Sequence, residues 1–144
     1  MQFIPYLNFN GNCREAFEFY AKVFNGRIAM ISTFGDMPGA DQMGMPPSAM
    51  QSVMHVRLVV GSQVLMGSDA MPGACDGEAG SYTKPQGMHV SINVANADEG
   101  RRVFDGLAEG GHAVMPFETT FWSPGFGMVT DRFGTPWMVN VDVG

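Results

Sequence analysis

His55 and Arg57 stand two apart in an apolar run over residues 52–60, and His89, Ser91 and Asn93 share one phase of a second run over residues 88–94. An imidazole in such a place can serve as a general base. With further nitrogen and oxygen donors it can also hold a divalent cation. Glu118 and Asp131 are the carboxylates that could approach such an ion. Two histidines without a placed carboxylate fall short of a facial triad. Other chemistries lack their residues. No Ser lies in G-x-S-x-G, and no glycine-rich phosphate loop follows a strand. No G-x-G-x-G turn is present to cradle S-adenosylmethionine between a first strand and helix.

Strands must carry these side chains, and the chain supplies them in order. Phe3, Pro5, Leu7 and Phe9 alternate with Gln2, Ile4, Tyr6 and Asn8, which predicts a half-buried strand showing Tyr6 and Asn8 on its other face. Asn12, followed by Glu15, reads as the N-cap of a helix over residues 13–24 that stops at Asn25-Gly26. A strand over residues 27–34 and a long Gly-, Pro- and Met-rich loop over residues 35–51 follow. In the run 52–60, Met54, Val56, Leu58 and Val60 share one face, and Val53, His55, Arg57 and Val59 the other. A fourth strand covers residues 63–68, and residues 70–86 form a linker.

The second half repeats that order. Met88, Val90, Ile92 and Val94 alternate with His89, Ser91 and Asn93; a helix over residues 98–109 buries Val103, Phe104 and Leu107 and ends at Gly110-Gly111. Pro116 interrupts a strand over residues 112–120 and assigns it to an edge or a bulge. Asp131-Arg132-Phe133-Gly134 has type I turn chemistry between strands 126–131 and 136–141. A fainter copy lies 73 residues upstream, where Gly61 to Asp69 matches Gly134 to Asp142; the helices match at a spacing of 84. The fold class is α+β: two βαβββ repeats, 1–69 and 87–144, each a half-open sheet with one helix-covered face, together enclosing a cleft. Alternation lines that cleft with Tyr6, Asn8, His55, Arg57, His89, Ser91, Asn93, Met128, Thr130, Met138 and Asn140. Phe121 and Trp122, just before the last hairpin, are placed to close over a ligand or to pack between halves or across a dimer.

Composition excludes several partners. A net charge of −6 with eight Lys and Arg, unclustered, argues against nucleic acid. No apolar run approaches the ~20 residues of a membrane span. No signal-peptide pattern opens the chain, so a cytoplasmic protein is expected. Cys13 and Cys75 lack C-x-x-C spacing and are expected to be reduced. Thirteen Met suit either a soft core or a Met-lined pocket.

The chain resembles the PhnB-like branch of the glyoxalase, bleomycin-resistance and extradiol-dioxygenase group, the vicinal-oxygen-chelate superfamily. The residues that carry the resemblance include Pro5-Tyr6-Leu7-Asn8-Phe9-Asn10-Gly11-Asn12-Cys13, Phe34-Gly35-Asp36-Met37-Pro38, Ser68-Asp69-Ala70-Met71-Pro72, Thr120-Phe121-Trp122 and Asp131-Arg132-Phe133-Gly134-Thr135-Pro136-Trp137-Met138. The resemblance implies a homodimer. It also implies a divalent metal held by His, Gln or Glu from the first and fourth strands of each repeat. Carried over, those positions are Ile4 (or Pro5), Leu65 or Met66, His89 and Met138. One competent ligand in four argues for a metal-free protein with no cofactor, capturing a small apolar or aromatic molecule. The alternative is a metal-dependent isomerase, lyase or dioxygenase using His55 and His89, or a metal-free enzyme with His as base. Arg57 is the cleft's cation in this reading, too little for a phosphonate dianion.

Overall fold

The computed structural model of the protein describes residues 1–70 and 81–142. It divides into two compact units, Met1–Thr83 and Lys84–Gly144. In the first unit, β1 (Tyr6–Phe9), α1 (Cys13–Phe24), β2 (Arg27–Thr33), a one-turn helix α2 (Pro47–Met50), β3 (Val53–Val60) and β4 (Gln63–Asp69) form a sheet in the order β1-β4-β3-β2. In the second, β5 (Val90–Val94), α3 (Ala97–Ala108), β6 (His112–Glu118), β7 (Phe126–Thr130) and β8 (Pro136–Val141) give the order β5-β8-β7-β6. β1 pairs β4 in parallel, as β5 pairs β8, and the remaining pairs are antiparallel. Each unit is therefore a βαβββ repeat in an α+β fold of the glyoxalase and bleomycin-resistance type. No helix among the described residues is long and apolar enough to cross a membrane.

Each helix lies on one face of its own sheet because glycines in the sheet leave room for its aromatic rings. A Cβ on Gly67 would meet Phe17 at 2.6 Å and the Leu7 carbonyl at 2.8 Å; one on Gly127 would meet Phe104 at 2.7 Å. Phe17 and Tyr20 are fully buried and contact Phe9 edge-on and at a tilt, with ring centroids 6.0 and 6.5 Å away. Burying one such ring contributes about 1.5–3 kcal/mol. Beneath the helix lie Val56, Leu58 and Leu65; in the second unit the corresponding layer is Val129, Trp137, Val139 and Val141.

Several expectations are corrected. β1 is only four residues long and Phe3 is almost wholly exposed. The parallel ladder begins where the Met66 N–H reaches the Pro5 carbonyl, and Pro5 has no N–H with which to extend it. Met88 is likewise exposed, and His89 stands one residue before β5. The loop 35–51 contains two 3-10 turns and α2. The repeat spacing for β4 and β8 is 72 rather than 73. Phe9 faces Asp69 and Val94 faces Val141, so Asp69 corresponds to Val141 and Asp142 to Ala70. β6 is an edge strand with bulges on either side of Met115, as Pro116 required.

Asn12 does not cap α1 with its side chain. The Asp69 carboxylate does so from across the sheet. One of its oxygens accepts from the Gly11 and Cys13 N–H groups at 2.9 and 3.0 Å, and the other from Val53 N–H at 2.8 Å. A tertiary contact thus replaces the local cap, because β4 runs parallel to β1 and ends beside the start of α1. Asp69→Ala leaves these donors unmet at about 1–3 kcal/mol each where they are buried. The expected loss is about 3–5 kcal/mol in urea unfolding, with a smaller loss for Asp69→Asn, which retains an acceptor for Gly11 and Cys13. A loss below about 1 kcal/mol for Asp69→Ala would show that α1 is capped by other means.

Candidate functional site

Strand alternation leaves the helix-free face of the first sheet with a defined set of side chains. One row crosses all four strands as Tyr6, Met66, Arg57 and Met30, neighbours in register about 4.8 Å apart. One step along lie Asn8 beside Ser68 and His55 beside Ser32. On the other side of the row, Arg27 stands opposite Val59. Tyr6 and His55 meet across the sheet, with the hydroxyl 3.3 Å from Nδ1 and the rings stacked 5.8 Å apart at 24°. With the ring proton on Nε2, the hydroxyl donates to Nδ1. That bond holds the imidazole by one nitrogen and leaves the other for a ligand. Arg27 was not among the residues anticipated from sequence; only the β2–β3 register shows that it shares this face.

The second sheet carries a different surface. Its central row is Ser91, Met138, Met128 and Met115. Beside it Asn93 and Asn140 are paired, with Asn140 Nδ2 donating to Asn93 Oδ1 at 3.5 Å. Asn140 Oδ1 is buried and has no hydrogen-bond partner among the described residues. Thr130 follows on β7, opposite both Pro136 and His112. His89, just ahead of β5, is exposed.

Phe121 and Trp122 form a projecting aromatic turn. Thr120 and Ser123 close it through the Thr120 N–H to Ser123 carbonyl bond at 2.9 Å. The buried Ser123 hydroxyl lies 2.7 Å from the Gly125 carbonyl and 3.0 Å from that of Val141, joining the turn to β8. Trp122 packs edge-on against Phe126 at 5.3 Å, and Phe121 against Trp122 at 4.8 Å. Phe121 is 98% exposed, so the turn is held by polar bonds at its base rather than by burial of its tip.

The donors for a metal do not fit. Of the positions the superfamily uses, Ile4 is a hydrocarbon, Met66 and Met138 are thioethers, and His89 alone is a competent ligand. The registers confirm that Met66 and Met138 are equivalent, since Tyr6 faces one and Ser91 the other. Asp131, a carboxylate that could have approached an ion, is buried and already engaged. It accepts from Phe133 N–H at 2.9 Å, Thr135 N–H at 3.0 Å and Trp137 Nε1 at 2.8 Å. Glu118 ends β6 at the sheet edge, and His55 and His89 belong to different units. Among the described residues no three His, Cys, Asp or Glu side chains gather to hold an ion. Cys13 is a buried free thiol, pushed up by burial and by the Asp69 charge, and is therefore neither nucleophile nor thiolate ligand. Cys75 lies outside the described residues.

The chain is similar to known proteins along nearly its whole length. The family model described as 3-demethylubiquinone-9 3-methyltransferase matches residues 1–140. Protein YjdN of Escherichia coli (strain K12) is 38% identical over 147 residues, covering 98% of this chain and 95% of that protein. The crystal structure of PA1353 from Pseudomonas aeruginosa is 44% identical, covers 99% of this chain and 98% of its own, and superposes with a TM-score of 0.84. A PhnB protein from Bacillus cereus shares the fold at 23% identity and a TM-score of 0.75, covering 99% of this chain and 100% of its own.

The two tryptophans make the geometry measurable, since Trp137 is 1% exposed and Trp122 51%. A Trp122→Phe variant should retain a blue-shifted emission that acrylamide barely quenches, while Trp137→Phe should leave a red-shifted, readily quenched one. Equal quenching of the two variants would contradict the exposed aromatic turn.

Proposed function

We propose, for a chain that belongs to the PhnB-like family of the vicinal-oxygen-chelate superfamily, a small-molecule-binding protein that works without the superfamily's metal. The observation that carries this reading is the pair Met66 and Met138. Both are centred on a helix-free face, at the fourth-strand positions where the resemblance implies metal ligands. A thioether there offers a polarizable apolar contact and little to a hard or borderline cation. Support also comes from Asn140 Oδ1, a buried acceptor that a ligand N–H or O–H would satisfy. The projecting Phe121 and Trp122 supply aromatic surface of the kind that covers small ligands. The same resemblance suggests a homodimer, for which the exposed Phe3, Met88 and Phe121 provide apolar surface.

The family's description names a methyl transfer, and the start of α1 speaks against the usual way of holding that cofactor. In dinucleotide and S-adenosylmethionine sites the helix N-terminus after the first strand is open to the ligand. Here the Gly11 and Cys13 N–H groups are already bonded to the Asp69 carboxylate. A ligand at that point would have to displace a buried side chain.

A second reading rests on the Tyr6–His55 contact. A hydrogen-bonded, half-buried imidazole is a reasonable general base for a metal-free isomerase or lyase, with Tyr6 orienting it. Metal analysis of the purified protein and a thermal-shift screen of small metabolites separate the readings. The expected result is less than stoichiometric Zn, Ni, Mn or Fe, together with at least one stabilising compound. At ~100-fold over its Kd such a compound adds about 2.7 kcal/mol. Met66→Asp should abolish that stabilisation for a compound held on the first sheet, and Met138→Asp for one held on the second. One equivalent of metal, lost together with binding in a His55→Ala, His89→Ala double variant, would overturn the metal-free reading. Turnover of a hit compound that disappears in His55→Gln would favour the enzyme.

A further inference from the structure

The two helix-free faces differ in charge, and the difference points to a ligand class. The whole chain carries fourteen Asp and Glu against eight Lys and Arg. On the helix-free face of β1–β4 the balance is reversed. Arg27 and Arg57 stand there with His55, while the one acidic residue of those four strands, Asp69, points to the helix side and is buried beneath α1. Among the described residues neither arginine is paired with a carboxylate. The central rows of the second sheet are uncharged, built from methionine, asparagine and serine.

We propose that the helix-free face of the first sheet recognises a small organic carboxylate with an apolar body. This rests on the small-molecule-binding reading above and names the ligand class for that face. Arg57 lies in register between Met66 and Met30, so its cation is set among apolar side chains, with Tyr6 at the end of the row. Tyr6 and Met30 are each nearly half exposed and offer a surface for a hydrocarbon or aromatic body. One step further along β3, His55 presents Nε2, which can add a hydrogen bond to an oxygen held by Arg57. The guanidinium is a planar fork that matches a carboxylate with two parallel bonds. A compact dianion would need cations converging on one point. Arg27, opposite Val59 and two β3 positions from Arg57, stands diagonally from it on the same face. Its charge steers an anion toward the face, while Arg57, set between Met66 and Met30, is the cation placed beside an apolar body.

The test uses the full-length chain and matched probes: phenylacetate, hexanoate and benzoate, their uncharged amides, and inorganic phosphate. Binding is followed by amide and Arg Nε–H chemical-shift changes in 15N-labelled protein. At least one carboxylate should shift the resonances of His55, Arg57 and Met66 in a saturable way, at least tenfold more tightly than its amide. Phosphate should bind more weakly than that carboxylate. Arg57→Gln should lose tenfold or more in affinity with an unchanged urea midpoint, Arg57→Lys should recover part of it, and Arg27→Gln should lose less and flatten the salt dependence. Amides binding as well as carboxylates, phosphate binding more tightly, or an unaffected Arg57→Gln would each overturn the proposal. So would the absence of any carboxylate binding at 10-millimolar order. If neutral compounds then stabilise the protein, the carboxylate proposal alone fails; if no compound of any charge binds, the small-molecule reading fails with it.

Discussion

The buried carboxylate of Asp69 holds the first repeat together at its most difficult point. Three chain segments meet there with unpaired backbone donors: the turn leaving β1, the first turn of α1, and the start of β3. Desolvating a carboxylate costs several kcal/mol unless its lone pairs are filled, and peptide N–H groups that no helix or ladder can use are the natural partners. The same contact fixes how α1 leaves the sheet. The same helix seats Phe17 over Gly67.

The second repeat reaches the same topology with different chemistry. Val141 stands in register where Asp69 would be, and α3 is capped locally, by the Asn96 side chain accepting from Glu99 N–H at 2.9 Å. The ends of β7 and β8 are held instead by the Ser123 hydroxyl, and their hairpin by Asp131, which also engages Trp137. Two repeats with one fold have thus diverged in which buried polar group carries the load. They have diverged in surface as well: arginine and histidine on one sheet, methionine and asparagine on the other.

Much of this was legible without coordinates. α1 was readable to the residue because its apolar spacing and the Asn25-Gly26 stop are local signals, and Asn25 indeed adopts the left-handed conformation at φ 53°. The final hairpin was readable because Asp131 and Gly134 suit one turn type, and the Gly134 N–H does bond the Asp131 carbonyl at 3.0 Å. Period-two alternation also assigned Tyr6, His55, Arg57, Met128, Met138 and Asn140 to the helix-free faces. Strand ends and the role of buried acids were not legible. Phe3 continues the alternation of β1 yet has no partner strand among the described residues, and Asp131 looks like a possible metal ligand until its bonds are seen.

The sequence by itself determined the repeat, the order of elements and the phase of each strand, because these depend on neighbours within a few positions. It also gave the residue types at the positions where the resemblance implies a metal, Ile4, Met66, His89 and Met138, since residue type alone decides which atoms are offered there. Only the tertiary structure decided which residues stand side by side. Register across β2, β3 and β4 brought Arg27 onto the face of Arg57, and set Arg57 between Met30 and Met66. The same folding turned Asp69 inward to cap a helix that lies 56 positions earlier in the chain. Pairing between strands distant in sequence is fixed by bulges and by the packing of whole layers, and no local pattern encodes it.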